Sequence, residues 1–171
     1  MNRVEIRKAS GSDLICIENM MQFYMYDISE WLPLAFGENG YLKIRPKAEY
    51  LARLNTHPYF IKVEGELAGF VTVDDDVQHK DSHHNIGYFF VAKRFRGQGV
   101  GRAVVGKLVG CFSGVWEIYF VDRNLGAAKF WNSLIPTATA EKYSKQDENI
   151  DGYDCTLFKF SSADFPTKRK G

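Results

Sequence analysis

The stretch from Ile86 to Phe112 constrains the fold more than any other part of the chain. IGYFFVA places Ile86, Tyr88 and Phe90 on one face of an extended segment and Phe89 and Val91 on the other. Both faces are apolar, so a strand here needs cover on each side, as a central strand does. Three glycines follow in alternate positions, Gly97, Gly99 and Gly101, and Val100, Val104, Leu108, Val109 and Phe112 then recur at helical spacing. Gly114 ends that helix, and VWEIYFV reads as a further strand, apolar on both faces except for Glu117. Strand, glycine loop, helix and strand make a right-handed crossover unit, which predicts an α/β sheet sandwiched by helices.

The flanking segments extend that sheet. Val4 and Ile6 suggest a short first strand. Leu14, Ile15, Ile17, Met20, Met21, Tyr24 and Met25 predict a helix over residues 12 to 28, with Ser12 or Asp13 as its cap. Trp31 to Gly40 reads as loop, Pro46 is placed to open a second helix through Leu54, and His57 before Pro58 reads as a loop residue. YFIKVEGELAGFVTV has period two and breaks at Glu64-Gly65-Glu66, the pattern of an antiparallel hairpin. Past the central unit, Asn124 is placed to cap a short helix over Ala127 to Leu134. Two late strands are expected at 137 to 143 and 153 to 160, giving one domain over residues 1 to 160. A solvated basic tail covers 161 to 171.

Composition excludes several classes. With 171 residues the chain can close one sizeable core. Lysine and arginine number 22 against 21 acidic residues, so there is no general positive field for nucleic acid or an anionic membrane. Cys16, Cys111 and Cys155 are widely spaced and odd in number, which fits a reducing cytosol better than a disulfide framework. No apolar window approaches the roughly 18 residues that span a bilayer. The expected protein is soluble and cytoplasmic.

A glycine loop between a buried strand and a helix start presents main-chain N–H groups that lack intrahelical partners, and the helix dipole adds positive charge there. Phosphate is the natural guest. Arg96 and Arg102 flank the loop. The dinucleotide pattern G-x-G-x-x-G fails, because the third glycine comes one residue early. Gly101 to Lys107 satisfies G-x-x-x-x-G-K, but Leu108 stands where an ATPase needs serine or threonine, and the valines between lie on a helix.

Arg96-Gly97-Gln98-Gly99-Val100-Gly101 resembles the R/Q-x-x-G-x-G/A acetyl-CoA signature of the GNAT superfamily of acyl-CoA N-acyltransferases. FFVAK precedes it as that family's fourth strand does, and Asn124-Leu-Gly-Ala127-Ala-Lys-Phe130-Trp131 resembles the downstream N-x-x-A-x-x-F-Y element. The resemblance implies a mixed sheet of about seven strands flanked by helices, with the fourth and fifth strands splayed apart. It implies an N-acetyltransferase that moves acetyl from acetyl-CoA to a primary amine by direct attack in a ternary complex, without a metal. Phe90 and Val91 would then offer main-chain groups to pantetheine. Residues Arg96, Gly97, Gln98, Gly99, Val100, Gly101 and Arg102 would hold the diphosphate, with Asn124 and Trp131 near the pantetheine. Asn124 serves equally as a plain helix cap.

Attack on a thioester needs a neutral amine, and an alkylamine near pKa 10.4 must lose a proton at neutral pH. Glu117, in its apolar strand, is the candidate base; the alternative is a structural pair with an arginine or lysine. Where the family carries a tyrosine that protonates the leaving thiolate, this chain has Trp131, whose indole donates a hydrogen bond but is no acid. Tyr119 and Tyr88 are the candidate substitutes, with plain core packing as the alternative. The 74–84 stretch, DDDVQHKDSHH, could on composition ligate a divalent metal, but its spacing matches neither a zinc finger nor HExxH and it reads better as a solvated connection, although Asp74 or Asp75 could meet a cationic substrate. In FYMYDISEW, Asp27 and Glu30 among aromatics suit a cationic amine or a packed helix. The acceptor is expected to be a small-molecule or peptide amine, nucleic acid and membrane are not expected partners, and a homodimer is left open. The second functional reading is a non-catalytic acyl-CoA-binding or regulatory module.

Overall fold

The computed structural model describes residues 3–43 and 47–165. Pro46 and most of the expected tail, 166–171, lie outside the described residues. The strands are β1 (Val4–Lys8), β2 (His57–Val63), β3 (Glu66–Asp74), β4 (His84–Val91), β5 (Val115–Val121), β6 (Tyr143–Ile150) and β7 (Tyr153–Ser161). The helices are α1 (Leu14–Ile28), α2 (Lys47–Leu51), α3 (Val100–Cys111) and α4 (Leu125–Ala138). One seven-stranded mixed sheet runs β1-β2-β3-β4-β5-β7-β6, which is the sheet the crossover unit and the resemblance imply. The parallel pairing of β4 with β5 sets His84 against Trp116 and Asn85 against Glu117, at the start of both strands, which fits strands that diverge towards their ends.

The described residues fall into two compact units, one within Met1–Val73 and Gly87–Val100, the other within Asp74–Ile86 and Gly101–Gly171. In the first, α1 buries Ile17, Met21 and Met25, one residue per turn, and Ile17 and Met21 join a core with Phe60, Phe70 and Phe90. Each such side chain removed from water contributes roughly 2 kcal/mol. A 3₁₀ turn, Gly11–Asp13, precedes α1; Asp13 stands at the N-cap position as expected, but its side chain makes no capping hydrogen bond to the helix and pairs with Arg7 at 2.9 Å instead. The β2–β3 hairpin turns at Glu64 and Gly65 as read from sequence. His57, read as loop, instead opens β2 opposite Val73, because Pro58 takes a strand position.

Ile61 opposes Gly69 and Lys62 opposes Leu67, so Ala68 is the extra residue of a bulge in β3. The Ala68 carbonyl accepts from the Ala92 N–H at 2.8 Å, which draws the end of β4 against the bulge.

In the second unit α3 buries Val104, Val105, Leu108 and Val109, β5 buries Trp116, Ile118 and Phe120, and β7 buries Leu157, Phe158 and Phe160. Helix α4 runs on through Pro136 to Ala138, longer than the expected short helix. A strand over 137–143 is therefore replaced by one at Tyr143–Ile150, paired along its whole length with β7. Ser161 ends β7 and Phe165 is buried, so the first residues of the expected tail are part of the fold.

Candidate active site

After β4, a 3₁₀ turn at Lys93–Phe95 carries the chain to Arg96 and the glycines. Gly97 and Gly99 have φ of 74° and 78°, the left-handed region that only glycine enters cheaply. A Cβ built on either would meet nothing within 4 Å, so the space beside the loop is open. Helix α3 begins at Val100, so the N–H groups of its first turn have no intrahelical acceptor. Open space, bare main chain and a helix start together fit a diphosphate.

The loop is braced from within its own unit. Arg96 Nη2 donates to Asp27 Oδ2 at 2.6 Å and its Nε to the Val91 carbonyl at 2.6 Å, while the guanidinium lies 5.8 Å from the Phe90 ring centroid. The side chain of Arg96 thus ties the end of α1 to the end of β4, a role its position in the glycine motif did not reveal. The Val91 carbonyl is engaged by that contact. Gln98 Nε2 donates to the Arg94 carbonyl at 2.7 Å, closing the turn. Asp27, read as a meeting point for a cationic substrate or a packed helix residue, also lies 3.8 Å from Lys93 Nζ. Arg102 is exposed in the first turn of α3.

Glu117 has no exposed surface. Its Oε2 accepts from the Gln78 N–H at 2.6 Å. Its Oε1 accepts from the His79 N–H at 3.2 Å and the Ser82 hydroxyl at 2.7 Å, and lies 2.7 Å from His79 Nδ1. Three of these contacts fall on Oε1 and one on Oε2, so the carboxyl group is tied to residues 78–82 by four contacts. The expected structural partner was an arginine or lysine; the observed partners are the backbone and side chains of the β3–β4 connection. On its far side the His79 ring meets Gln146 Nε2, 3.1 Å from its Nε2. The rest of the connection is pinned as well: Lys159 pairs with Asp81 at 2.6 Å, and His83 Nδ1 accepts from the Val115 N–H at 3.1 Å. Among the described residues no group of three or more His, Cys, Asp or Glu side chains is placed to hold a metal.

Glutamine at position 117 would offer one acceptor oxygen and turn an N–H₂ group towards a donor. Hydrogen bonds to charged groups contribute about 1.5–3 kcal/mol each. Glu117→Gln should therefore cost about 2 kcal/mol, read as a lowered melting temperature with earlier proteolysis in residues 75–83. Equal stability and equal proteolysis would show that the carboxylate does not hold the connection.

Tyr119 has its phenol pushed up to about 12, by burial first and then by the negative charges of Asp74, Asp76 and Asp151. Proton transfer from such a phenol to a thiolate near 8.5 runs uphill by about 3.5 units, or about 5 kcal/mol. Tyr119 is thus suited to donate a hydrogen bond rather than its proton. The folded state holds this proton more tightly than the unfolded chain does, so its contribution to stability is complete below pH 10 and is lost between about 10 and about 12. Tyr119→Phe should flatten the fall in melting temperature over that window; an unchanged slope would contradict the burial assigned to the ring.

Asn124 caps α4 with its side chain accepting from the Ala127 N–H at 2.9 Å, and Trp131 is 6% exposed on that helix. Tyr88 is packed between Tyr24 and Tyr50, with centroids 5.5 and 5.3 Å away, and its N–H donates to Thr72 Oγ1 at 2.9 Å. That is the environment of a packed ring.

The sheet has a central parallel pair, and the helix after β4 starts at a positive-φ glycine loop, a setting that suits a phosphate ester. The acetyltransferase (GNAT) family model matches residues 23–134, and the chain belongs to that family. No curated protein matches the chain by sequence. Among solved structures, the aminoglycoside acetyltransferase AAC(6')-Ib in complex with coenzyme A is similar at 15% identity and TM-score 0.67, covering 98% of this chain and 100% of that one. A variant of the SpeG spermidine N-acetyltransferase from Vibrio cholerae is similar at 10% identity and TM-score 0.58, covering 94% of each chain. A domain from Methanocaldococcus jannaschii gives 14% identity and TM-score 0.64, covering 94% of this chain and 99% of its own. At these identities the likeness concerns the fold. No described helix is long and apolar enough to cross a membrane.

Proposed function

We propose that the protein is an acetyl-CoA-dependent N-acetyltransferase acting on a primary amine of a small molecule or peptide. One observation carries the reading: the open, left-handed turn at Gly97 and Gly99 that feeds the start of α3, in a chain of this family. Solved structures of an aminoglycoside acetyltransferase with coenzyme A and kanamycin, and of a spermidine N-acetyltransferase, support the substrate class.

In this reading the main chain from Gly97 to Gly101 and the first turn of α3 hold the diphosphate, with Arg102 adding charge. Phe90 and Val91 supply main-chain groups to pantetheine, with the Val91 carbonyl shared with Arg96. Asn124 and Trp131 stand near the pantetheine through α4. The amine nitrogen attacks the thioester carbonyl carbon directly; a C–N bond forms and the C–S bond breaks. Tyr119 donates a hydrogen bond to the departing sulfur, lowering the charge it must carry. Glu117, first expected as the base, is assigned to holding residues 78–82, since it is fully buried and tied to them by four contacts.

Thiol release from acetyl-CoA is the test, measured over a panel of polyamines, aminoglycosides and lysine peptides. Amine-dependent release is the expected result. Binding of acetyl-CoA without release from any member would favour the non-catalytic acyl-CoA-binding module, the reading for which Trp131 at the family's tyrosine position speaks.

A further inference from the structure

Asp74 ends β3 and is 2% exposed; Asn85 lies on β4 and is 1% exposed. Asn85 Nδ2 donates to Asp74 Oδ1 at 3.1 Å, and the Asp76 N–H donates to the same oxygen at 3.1 Å. This contact fixes the amide's orientation, because turning it over would set Asn85 Oδ1 against a carboxylate oxygen. Asn85 Oδ1 is then left without a hydrogen-bond partner, one of two such buried side-chain oxygens among the described residues, the other being Thr56 Oγ1. A buried acceptor in that state costs about 1–3 kcal/mol, and buried polar groups so left call for a missing donor.

The surroundings say which donor. Asp74 shares the site, and the charges of Asp74 and Asp76 both reach the nearby Tyr119 phenol. A donor that also carries positive charge gains from this field, whereas a neutral hydroxyl gains only its hydrogen bond. An ammonium is a compact point charge with three rotatable N–H donors, which suits one amide oxygen beside one carboxylate, whereas a guanidinium's planar fork suits a bidentate partner. The family's glycine loop and the Glu117 cluster do not use either side chain.

We propose that Asp74 and Asn85 form the seat for the acceptor's protonated amino group, with Asp74 as the group that takes its proton. The inference rests on the acetyl-transfer reading above and names the residues that meet its second substrate. One N–H of the ammonium donates to Asn85 Oδ1. A second proton passes to the Asp74 carboxylate: its N–H bond breaks, an O–H bond forms, and the nitrogen keeps the electron pair. That pair forms the C–N bond as the C–S pair leaves on sulfur. A further proton, lost from the nitrogen, ends on the departing thiolate, so one proton remains on Asp74 and is returned to solvent.

Two measurements test the seat. In amide NMR spectra of the protein without coenzyme, n-butylammonium chloride should shift the Asn85 side-chain and Tyr119 signals. Tetramethylammonium chloride, with equal charge but no N–H, should not. Asp74→Asn should abolish the response. Equal shifts from both salts, no shift from either, or a response that survives in Asp74→Asn would overturn the seat whether or not the protein binds acetyl-CoA. In thiol-release assays with n-butylamine, Asp74→Asn should lower kcat/KM for the amine about 100-fold and remove the acidic limb of its pH profile. The dissociation constant for acetyl-CoA should stay within about twofold, a loss less than about 0.4 kcal/mol. Should Asp74→Asn fail to fold, Asn85→Ser takes its place, with raised KM for the amine as the expected result and unchanged KM as the contrary one. Failure of acetyl-CoA to bind the parent protein would instead strike the acetyl-transfer reading and leave the NMR result standing.

Discussion

Gly69→Ala should destabilise the protein by about 3 kcal/mol, the upper end for an added methyl group in a packed interior. A Cβ at Gly69 would stand 2.0 Å from the Phe90 carbonyl oxygen, 2.9 Å from its carbonyl carbon and 3.1 Å from Val91 Cα. These are backbone atoms, so no rotamer change relieves the collision. The backbone at Gly69 is not left-handed; the requirement is for space, created by the Ala68 bulge that pulls β4 inward. For a chain of this length the loss corresponds to a fall in melting temperature of roughly 6–12 °C. The alternative to unfolding is a shift of Phe90 and Val91, the residues proposed to meet pantetheine, so acetyl-CoA affinity should fall in the variant that remains folded. A melting temperature within a degree or so of the parent, with affinity unchanged, would mean that β3 and β4 are not so close.

Gly99→Glu should weaken acetyl-CoA binding at least 100-fold while leaving most of the fold intact. The left-handed φ costs any non-glycine residue about 1–2 kcal/mol, and the open space at this position means that no packing is disturbed. Gly99→Ala carries the same backbone cost without charge and serves as the control. The difference between the two variants isolates a carboxylate placed where a diphosphate is proposed to lie, and like charges a few ångströms apart repel. If both variants lose affinity equally, the loop's conformation matters and its phosphate seat does not. Equal retention in both would remove the seat.

Much of the fold was legible because its signals were local. The strand from Ile86 to Val91, the glycines and the valines of α3 lie side by side in the chain, and their periods changed where the structure changes. Strand β6 was misplaced for two physical reasons. Helix α4 continues past the expected end at Leu134 because Pro136 lies in its last turn, where a missing N–H forfeits one bond without ending the helix. YSKQDENI has little apolar alternation, because an edge strand is held by its ladder to β7 and can face water with charge.

The site was legible in part. The loop announced itself by composition, and Glu117 by being acidic in an apolar strand. Its partners did not, since His79 and Ser82 stand 38 and 35 residues earlier in the chain. The motif marks Arg96 as a phosphate ligand and gives no sign of its ion pair with Asp27, which spans 69 residues, farther than any spacing rule reaches. Asn85 carried no signal at all; only the orientation imposed by Asp74 makes its carbonyl an orphan.

The central claim is that the turn at Gly97 and Gly99 grips the diphosphate of acetyl-CoA. Calorimetric titration of the parent protein and of Gly99→Glu with acetyl-CoA, beside ATP and NAD as competitors for the same chemistry, tests it most directly. The account predicts saturable binding of acetyl-CoA by the parent, accompanied at 100 times the dissociation constant by about 2.7 kcal/mol of added stability, and none by the variant. A parent protein that ignores acetyl-CoA while binding ATP or NAD, or a variant that binds acetyl-CoA as tightly as the parent, would contradict it.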